Sequence, residues 1–142
     1  MVVLGSSVGV IAQELAAAGA GDVVVLEDPA LDPYTPDAYV MALRSLIDSI
    51  APQYVALTHT YQTRDFGPML AARLRMPLIT DVTGIMGAGR AAIFTRPMFQ
   101  GKLAAAVRPT GKGACFVTFQ IGAFRADTLQ KSDSAASISH AP

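Results

Sequence analysis

The sequence predicts an α/β fold in three layers, a mainly parallel sheet with an antiparallel extension. Three observations predict it. Short, mostly apolar runs at residues 2–4, 23–26, 53–58 and 77–80 have the length and composition of buried strands. Between them lie stretches with apolar residues at helical spacing, so strand and helix alternate, a pattern that right-handed crossovers join into a parallel sheet. After Asp81 the helical stretches cease, and apolar runs follow one another across Gly- and Pro-containing turns.

Each element has its own local reason. Residues 2–4 run into Gly5, and Ser6 or Ser7 is placed to cap a helix whose Val8, Ile11, Leu15 and Ala18 share a face. Gly19 and Gly21 stop that helix. Thr35, Pro36 and Asp37 form the next helix start: a cap, a proline in the first turn and an acid at the positive dipole end. Val40, Leu43, Ile47 and Ile50 make its inner stripe, with Arg44 and Asp48 facing out. Thr63 or Asp65 is placed to cap the third helix, with Phe66, Leu70 and Leu74 inward and Arg73 and Arg75 at its negative end. Runs at 82–85, 92–94, 103–107 and 115–120 are expected as antiparallel strands, with hairpin turns at 87–90 and 109–113. Residues 1–130 are expected as the domain, and the polar tail 131–142 as a disordered end or linker.

At 142 residues, 51% of them hydrophobic and 15% charged, the chain has the size and composition of one packed domain. Zero net charge argues against a nucleic-acid partner or an anionic membrane surface. The single cysteine, Cys115, lies in an apolar run and reads as a buried small hydrophobe; with no possible internal disulfide the chain suits a reducing compartment. No apolar stretch has transmembrane length, and the N-terminus lacks a charged region before its short apolar run.

Four segments carry potential chemistry. Gly5-Ser6-Ser7-Val8-Gly9 matches G-x-S-x-G between a strand and a helix, which would make Ser7 an esterase nucleophile. A hydrolase also needs an acid and a later histidine, and the only histidines are His59 and His140, so a glycine beside a helix cap explains the match more simply. The same loop offers backbone N–H groups to a phosphate. Gln62, Thr63 and Arg64 follow a strand end and open a helix, so with Ser6 and Ser7 they are the candidate nucleotide or anion crevice; the alternative is that they only cap and pair locally. Asp81 and Thr83 lie at a strand end and read as loop-ordering groups. Arg96, Pro97, Met98 and Phe99 combine cationic and apolar groups at a turn, which suits a partner interface. His59 and Asp65 are too sparse a pair for a metal site, and no metal is expected.

Four segments together resemble the N-terminal domain of the electron transfer flavoprotein alpha subunit. They are VVLEDPALDPYTPDAYV, QTRDFGPMLAARLRMPLITDVTGI, FTRPMFQGKLAAAVRP and FVTFQIGAFRAD. The resemblance implies the three-layer fold of adenine-nucleotide-hydrolase-like, Rossmann-like domains. It implies a non-catalytic scaffold that packs with a beta subunit and supports FAD-mediated electron transfer from dehydrogenases to a quinone reductase or similar acceptor. The family holds FAD mainly in a C-terminal domain that would follow Pro142, so no cofactor is expected on this chain alone. The family's first strand and helix also have no counterpart before Met1, so the chain is expected to be a fragment whose exposed sheet edge promotes self-association. The implied location is cytoplasmic, or the mitochondrial matrix in a eukaryote. A small adenine-nucleotide-binding protein is the alternative.

Overall fold

A computed structural model describes residues 1–19, 21–111, 113–128 and 136–141. In chain order its elements are β1 (Val2–Gly5), α1 (Gly9–Ala17), β2 (Val23–Glu27), α2 (Pro36–Ile50), β3 (Tyr54–Thr58), α3 (Tyr61–Arg73), β4 (Leu78–Val82), β5 (Gly84–Met86), β6 (Ile93–Met98), β7 (Leu103–Val107), β8 (Cys115–Phe119) and β9 (Ile138–His140). Short 3-10 turns occupy Pro29–Leu31, Gly89–Ala91 and Ala126–Thr128. The chain divides into two compact units, Met1–Ala42 with Arg125–Pro142, and Leu43–Phe124. Parallel ladders dominate and an antiparallel ladder is added, which is the α/β class the sequence predicts.

In the first unit β2 lies between β1 and β9 and is parallel to both. A central parallel strand is covered on both faces, which is why Val23, Val25 and Leu26 are all buried. Val3, Val8, Ala12 and Ala16 complete this core. The α1 stripe is therefore turned from the expected one: Ala12 and Ala16 face the sheet, while Ile11 is 50% exposed. Two alanines one turn apart let helix and sheet approach closely, and that proximity outweighs the larger side chain. The helix start differs too. Val8 is the N-cap residue, no side chain caps from within the loop, and the Val8 N–H donates to Glu27 Oε2 at 3.1 Å. Gly19, at φ +66°, ends the helical stretch as expected.

The described part of the tail, 136–141, carries β9 where a disordered end or linker was expected; 131–135 and Pro142 lie outside the described residues. Parallel pairing fixes it: Val23 N–H donates to Ser137 O at 2.8 Å, and Ala141 N–H to Val25 O at 2.8 Å. The Ser137 hydroxyl also donates to Asp22 Oδ1 at 2.6 Å. A polar composition hides this strand because backbone pairing holds it, which no side chain reports.

In α2, Thr35 Oγ1 accepts the Ala38 N–H at 3.3 Å, and Val40, Leu43, Leu46 and Ile47 are buried. Arg44 and Asp48 face out as expected, and they form an exposed i,i+4 pair at 3.7 Å.

In the second unit β8 lies between β3 and β4, parallel to both, while β5, β6 and β7 form an antiparallel sheet. This corrects the expectation that 115–120 belongs to the antiparallel half, and with it the hairpin at 109–113, because β7 and β8 are not neighbours. The run Cys-Phe-Val-Thr-Phe is buried along nearly its whole length, as a central parallel strand must be. Its core includes Ile79, Val82, Phe94, Cys115 and Val117, and Phe116 and Leu70 are fully buried. The turn at 87–90 does join antiparallel neighbours: Met86 pairs with Ile93 across it, and Gly87 and Gly89 take positive φ.

Two outcomes follow. Phe116→Ala leaves a cavity in the β8 layer and lowers unfolding free energy by about 3–5 kcal/mol in urea titrations. The two hydrogen bonds from Ser137, side chain then backbone, hold the Asp22 carboxyl below its ordinary value. A lowered carboxylate value stabilises the docked tail above the ordinary range and loses that effect as pH falls through the lowered one. Asp22→Asn therefore speeds amide exchange at 138–141 near neutral pH and flattens its acid dependence, while β8 in the second unit is unaffected.

Candidate functional site

The carboxyl ends of β3, β8 and β4 enclose a crevice of about 320 Å³ lined by His59, Thr63, Arg64, Asp81, Arg96 and Thr118, among others. Open parallel sheets hold ligands at this end of their strands. Three local features build it.

The first is the start of α3. The helix begins at Tyr61, two residues before the expected cap, because Thr60 is in extended conformation (φ −93°, ψ 168°) and its Oγ1 accepts the Thr63 N–H at 3.1 Å. The Thr60 hydroxyl donates to Thr63 Oγ1 at 3.0 Å, so Thr63 is buried and engaged with the cap. Asp65 lies inside the helix. Gln62 and Arg64 are exposed, and the Arg64 guanidinium sits 5.8 Å from the Tyr61 ring centroid, a cation–π distance.

The second is a bulge in β4. The register against β8 shifts between Ile79 and Val82, and Asp81 takes φ +60°, a left-handed conformation that Asp tolerates better than most residues. The bulge directs Asp81 N–H to Thr118 Oγ1 at 3.0 Å.

The third is Thr118, a buried hydroxyl in the apolar β8. It also meets His59 Nδ1 at 2.8 Å. His59 is held further by its own N–H, which donates to Phe119 O at 2.7 Å. One hydroxyl thus ties the ends of all three strands.

The sequence-predicted site residues separate under this geometry. Thr63 and Arg64 line the crevice with His59 and Asp81. Ser6 and Ser7 belong to the first unit, where the carboxylate of Glu27 already takes the Val8 N–H at the α1 start. Neither serine caps that helix. Arg96, assigned from sequence to an interface, lines the crevice, and its Nε is buried with no hydrogen-bond partner among the described residues. Phe99 is 70% exposed in the turn after β6. Sequence reasoning missed Thr60 and Thr118; the one signal for Thr118 is a lone hydroxyl near the end of an otherwise apolar strand.

A second crevice, about 200 Å³, is lined by Tyr54, Ile85, Phe94, Val117 and Phe119 with small residues around 87–92. Tyr54 and Phe94 meet edge to face at 5.4 Å. Burial pushes the Cys115 thiol up, in keeping with a packing role. Among the described residues no group of three His, Cys, Asp or Glu is placed to hold a metal ion, and no helix is long and apolar enough to cross a membrane.

Parallel strands alternating with helices define an α/β protein of the Rossmann-like class. A family model for the electron transfer flavoprotein domain matches residues 1–141, and the chain belongs to that family. Over 101 residues it is 42% identical to the electron transfer flavoprotein subunit alpha of Bacillus subtilis, covering 71% of this chain and 31% of that protein. Over 125 residues it is 31% identical to the subunit alpha of Thermoanaerobacterium thermosaccharolyticum, covering 87% and 38% respectively. It is also 39% identical over 82 residues to the acryloyl-CoA reductase electron transfer subunit beta of Anaerotignum propionicum, covering 58% and 22%. The chain spans about a third of the length of the first two of these relatives.

The family name implies a flavin. Neither crevice fits one: the apolar crevice has no charged lining residue for phosphates, and the polar crevice has no Phe, Tyr or Trp among its lining residues to stack on a flavin ring.

The geometry makes one outcome specific. Thr118→Val is nearly isosteric but strands the Asp81 N–H and His59 Nδ1. It costs about 1–3 kcal/mol in chemical denaturation, with the largest amide shifts in the NMR spectrum at residues 59 and 81.

Proposed function

We propose that this chain, β9 included, acts as a non-catalytic scaffold and subunit-interaction domain of an electron transfer flavoprotein alpha subunit. The partner is a beta subunit, and the pair supports a flavin domain that carries electrons from dehydrogenases to a quinone reductase or similar acceptor in the cytoplasm or mitochondrial matrix. The family membership and the alpha-subunit names of the relatives support the reading. The structural observation that carries it is the antiparallel sheet. Ile85, Met86, Phe99 and Leu103 are exposed on or beside it. β7 is an edge strand, Leu-Ala-Ala-Ala-Val, with no charge to discourage pairing. Exposed apolar side chains on and beside a small sheet with an unpaired edge favour a protein-binding surface. Of the four residues singled out from sequence, Phe99 has the exposure of an anchor, Pro97 and Met98 lead into its turn, and Arg96 belongs to the crevice.

The same surface predicts self-association of the chain when no partner covers it. Co-expression with the beta subunit from the same source tests the assignment. Phe99→Asp is expected to weaken the complex about tenfold or more, measured by analytical ultracentrifugation, with an unchanged circular dichroism melt. An unweakened complex removes the β6–β7 turn from the interface.

A further inference from the structure

We propose that the crevice at the ends of β3, β8 and β4 binds a phosphate monoester of a small hydroxylated molecule. This goes beyond the scaffold reading and does not depend on it. Four observations carry it.

The crevice holds two guanidinium groups, Arg64 and Arg96, against one carboxylate, Asp81. The excess positive charge selects an anion, and guanidinium matches phosphate oxygens in charge and geometry. Arg96 Nε is buried and has no acceptor among the described residues. A desolvated charged donor left unsatisfied is costly, and a guanidinium that turns toward an oxyanion in the crevice gains the acceptor it lacks.

His59 adds a donor. Thr118 Oγ1 accepts from Asp81 N–H, and the hydroxyl has a single hydrogen of its own. That hydroxyl, 2.8 Å from His59 Nδ1, either accepts from an Nδ1–H or donates to Nδ1, and an oxyanion beside Nε2 favours the second arrangement, in which the imidazole proton sits on Nε2. The ring then presents an N–H from a crevice-lining residue.

Asp81 sets the ligand class. Its carboxylate repels a ligand that is anionic throughout and accepts from a ligand hydroxyl. The β4 bulge holds it at φ +60°, among the crevice-lining residues. A cavity of about 320 Å³ stands at the small end of the range for small-molecule sites. The phosphoryl group takes the arginine and histidine donors, and a hydroxyl of the esterified molecule takes Asp81.

Titration calorimetry on the full chain with inorganic phosphate and with glycerol 3-phosphate tests the proposal. Glycerol 3-phosphate is expected to bind saturably and more tightly than inorganic phosphate. Arg96→Gln is expected to weaken it about tenfold, with an unchanged thermal melt. Asp81→Asn is expected to tighten inorganic phosphate and to erase the preference for the ester. No saturable heat from either probe up to roughly 10 mM, or an Arg96→Gln variant that binds as the parent does, overturns the site. An Asp81→Asn variant that keeps the full preference for the ester overturns the role of Asp81. Assembly with the beta subunit is measured separately, so either reading fails without the other.

Discussion

β8 pairs in parallel with β3 on one side and β4 on the other, so one five-residue strand satisfies the ladder groups of two others. Both partners precede it by some distance in the chain: Tyr54 pairs with Cys115, and Leu78 with Phe116. Closing such long loops is entropically costly, and the cost is offset where the returning strand buries much apolar surface. Cys115, Phe116 and Val117 are almost wholly buried for that reason. The antiparallel strands β5, β6 and β7 are an excursion made between β4 and β8.

The crevice inherits its geometry from this strand. Thr118 is the point where β8 stops being apolar on its buried side, and its hydroxyl links His59 after β3 to Asp81 in β4. Both links converge on one atom, so the ends of three strands are tied at a single point. The left-handed Asp81 persists because its N–H has this acceptor; without it, the bulge would leave a half-buried donor unmade. A site on strand ends braced in this way is more rigid than one on loops alone.

Much of the fold was legible because local chemistry and tertiary role agree. Thr35, Pro36 and Asp37 read as a helix start, and Gly19 as a stop, since capping acts over a single turn. Phe66 and Leu70 read as an inner face. The failures share a physical origin, which is that partners distant in sequence leave no local mark. The apolar run at 115–119 announces a strand but not its neighbours, and β9 is held by backbone pairing to β2. In α1 the periodicity favoured the larger Ile11, while the sheet selected the smaller Ala12 and Ala16. At the crevice, Arg64 and Thr63 were visible beside a strand end. Arg96 was not, because only the chain's return through β6 brings it there.

β6 contributes to the core and to the crevice from one face. Side chains alternate along it, so Phe94 and Arg96 share a face: Phe94 enters the core, and Arg96 lines the crevice. Past Met98 the chain takes three consecutive left-handed residues, Phe99 at φ +51°, Gln100 at +57° and Gly101 at +82°. Only the last is glycine, and each of the other two costs on the order of 1 kcal/mol or more. The turn's hydrogen bonds, Gly101 N–H to Met98 O at 3.1 Å and Lys102 N–H to Phe99 O at 3.3 Å, do not require an aromatic at its apex. A large apolar side chain in a strained backbone, presented to solvent, is stable within the unit only because its surroundings impose it. Burial against a partner is the physical gain that would set against that cost, and Phe99 is where the antiparallel sheet offers it.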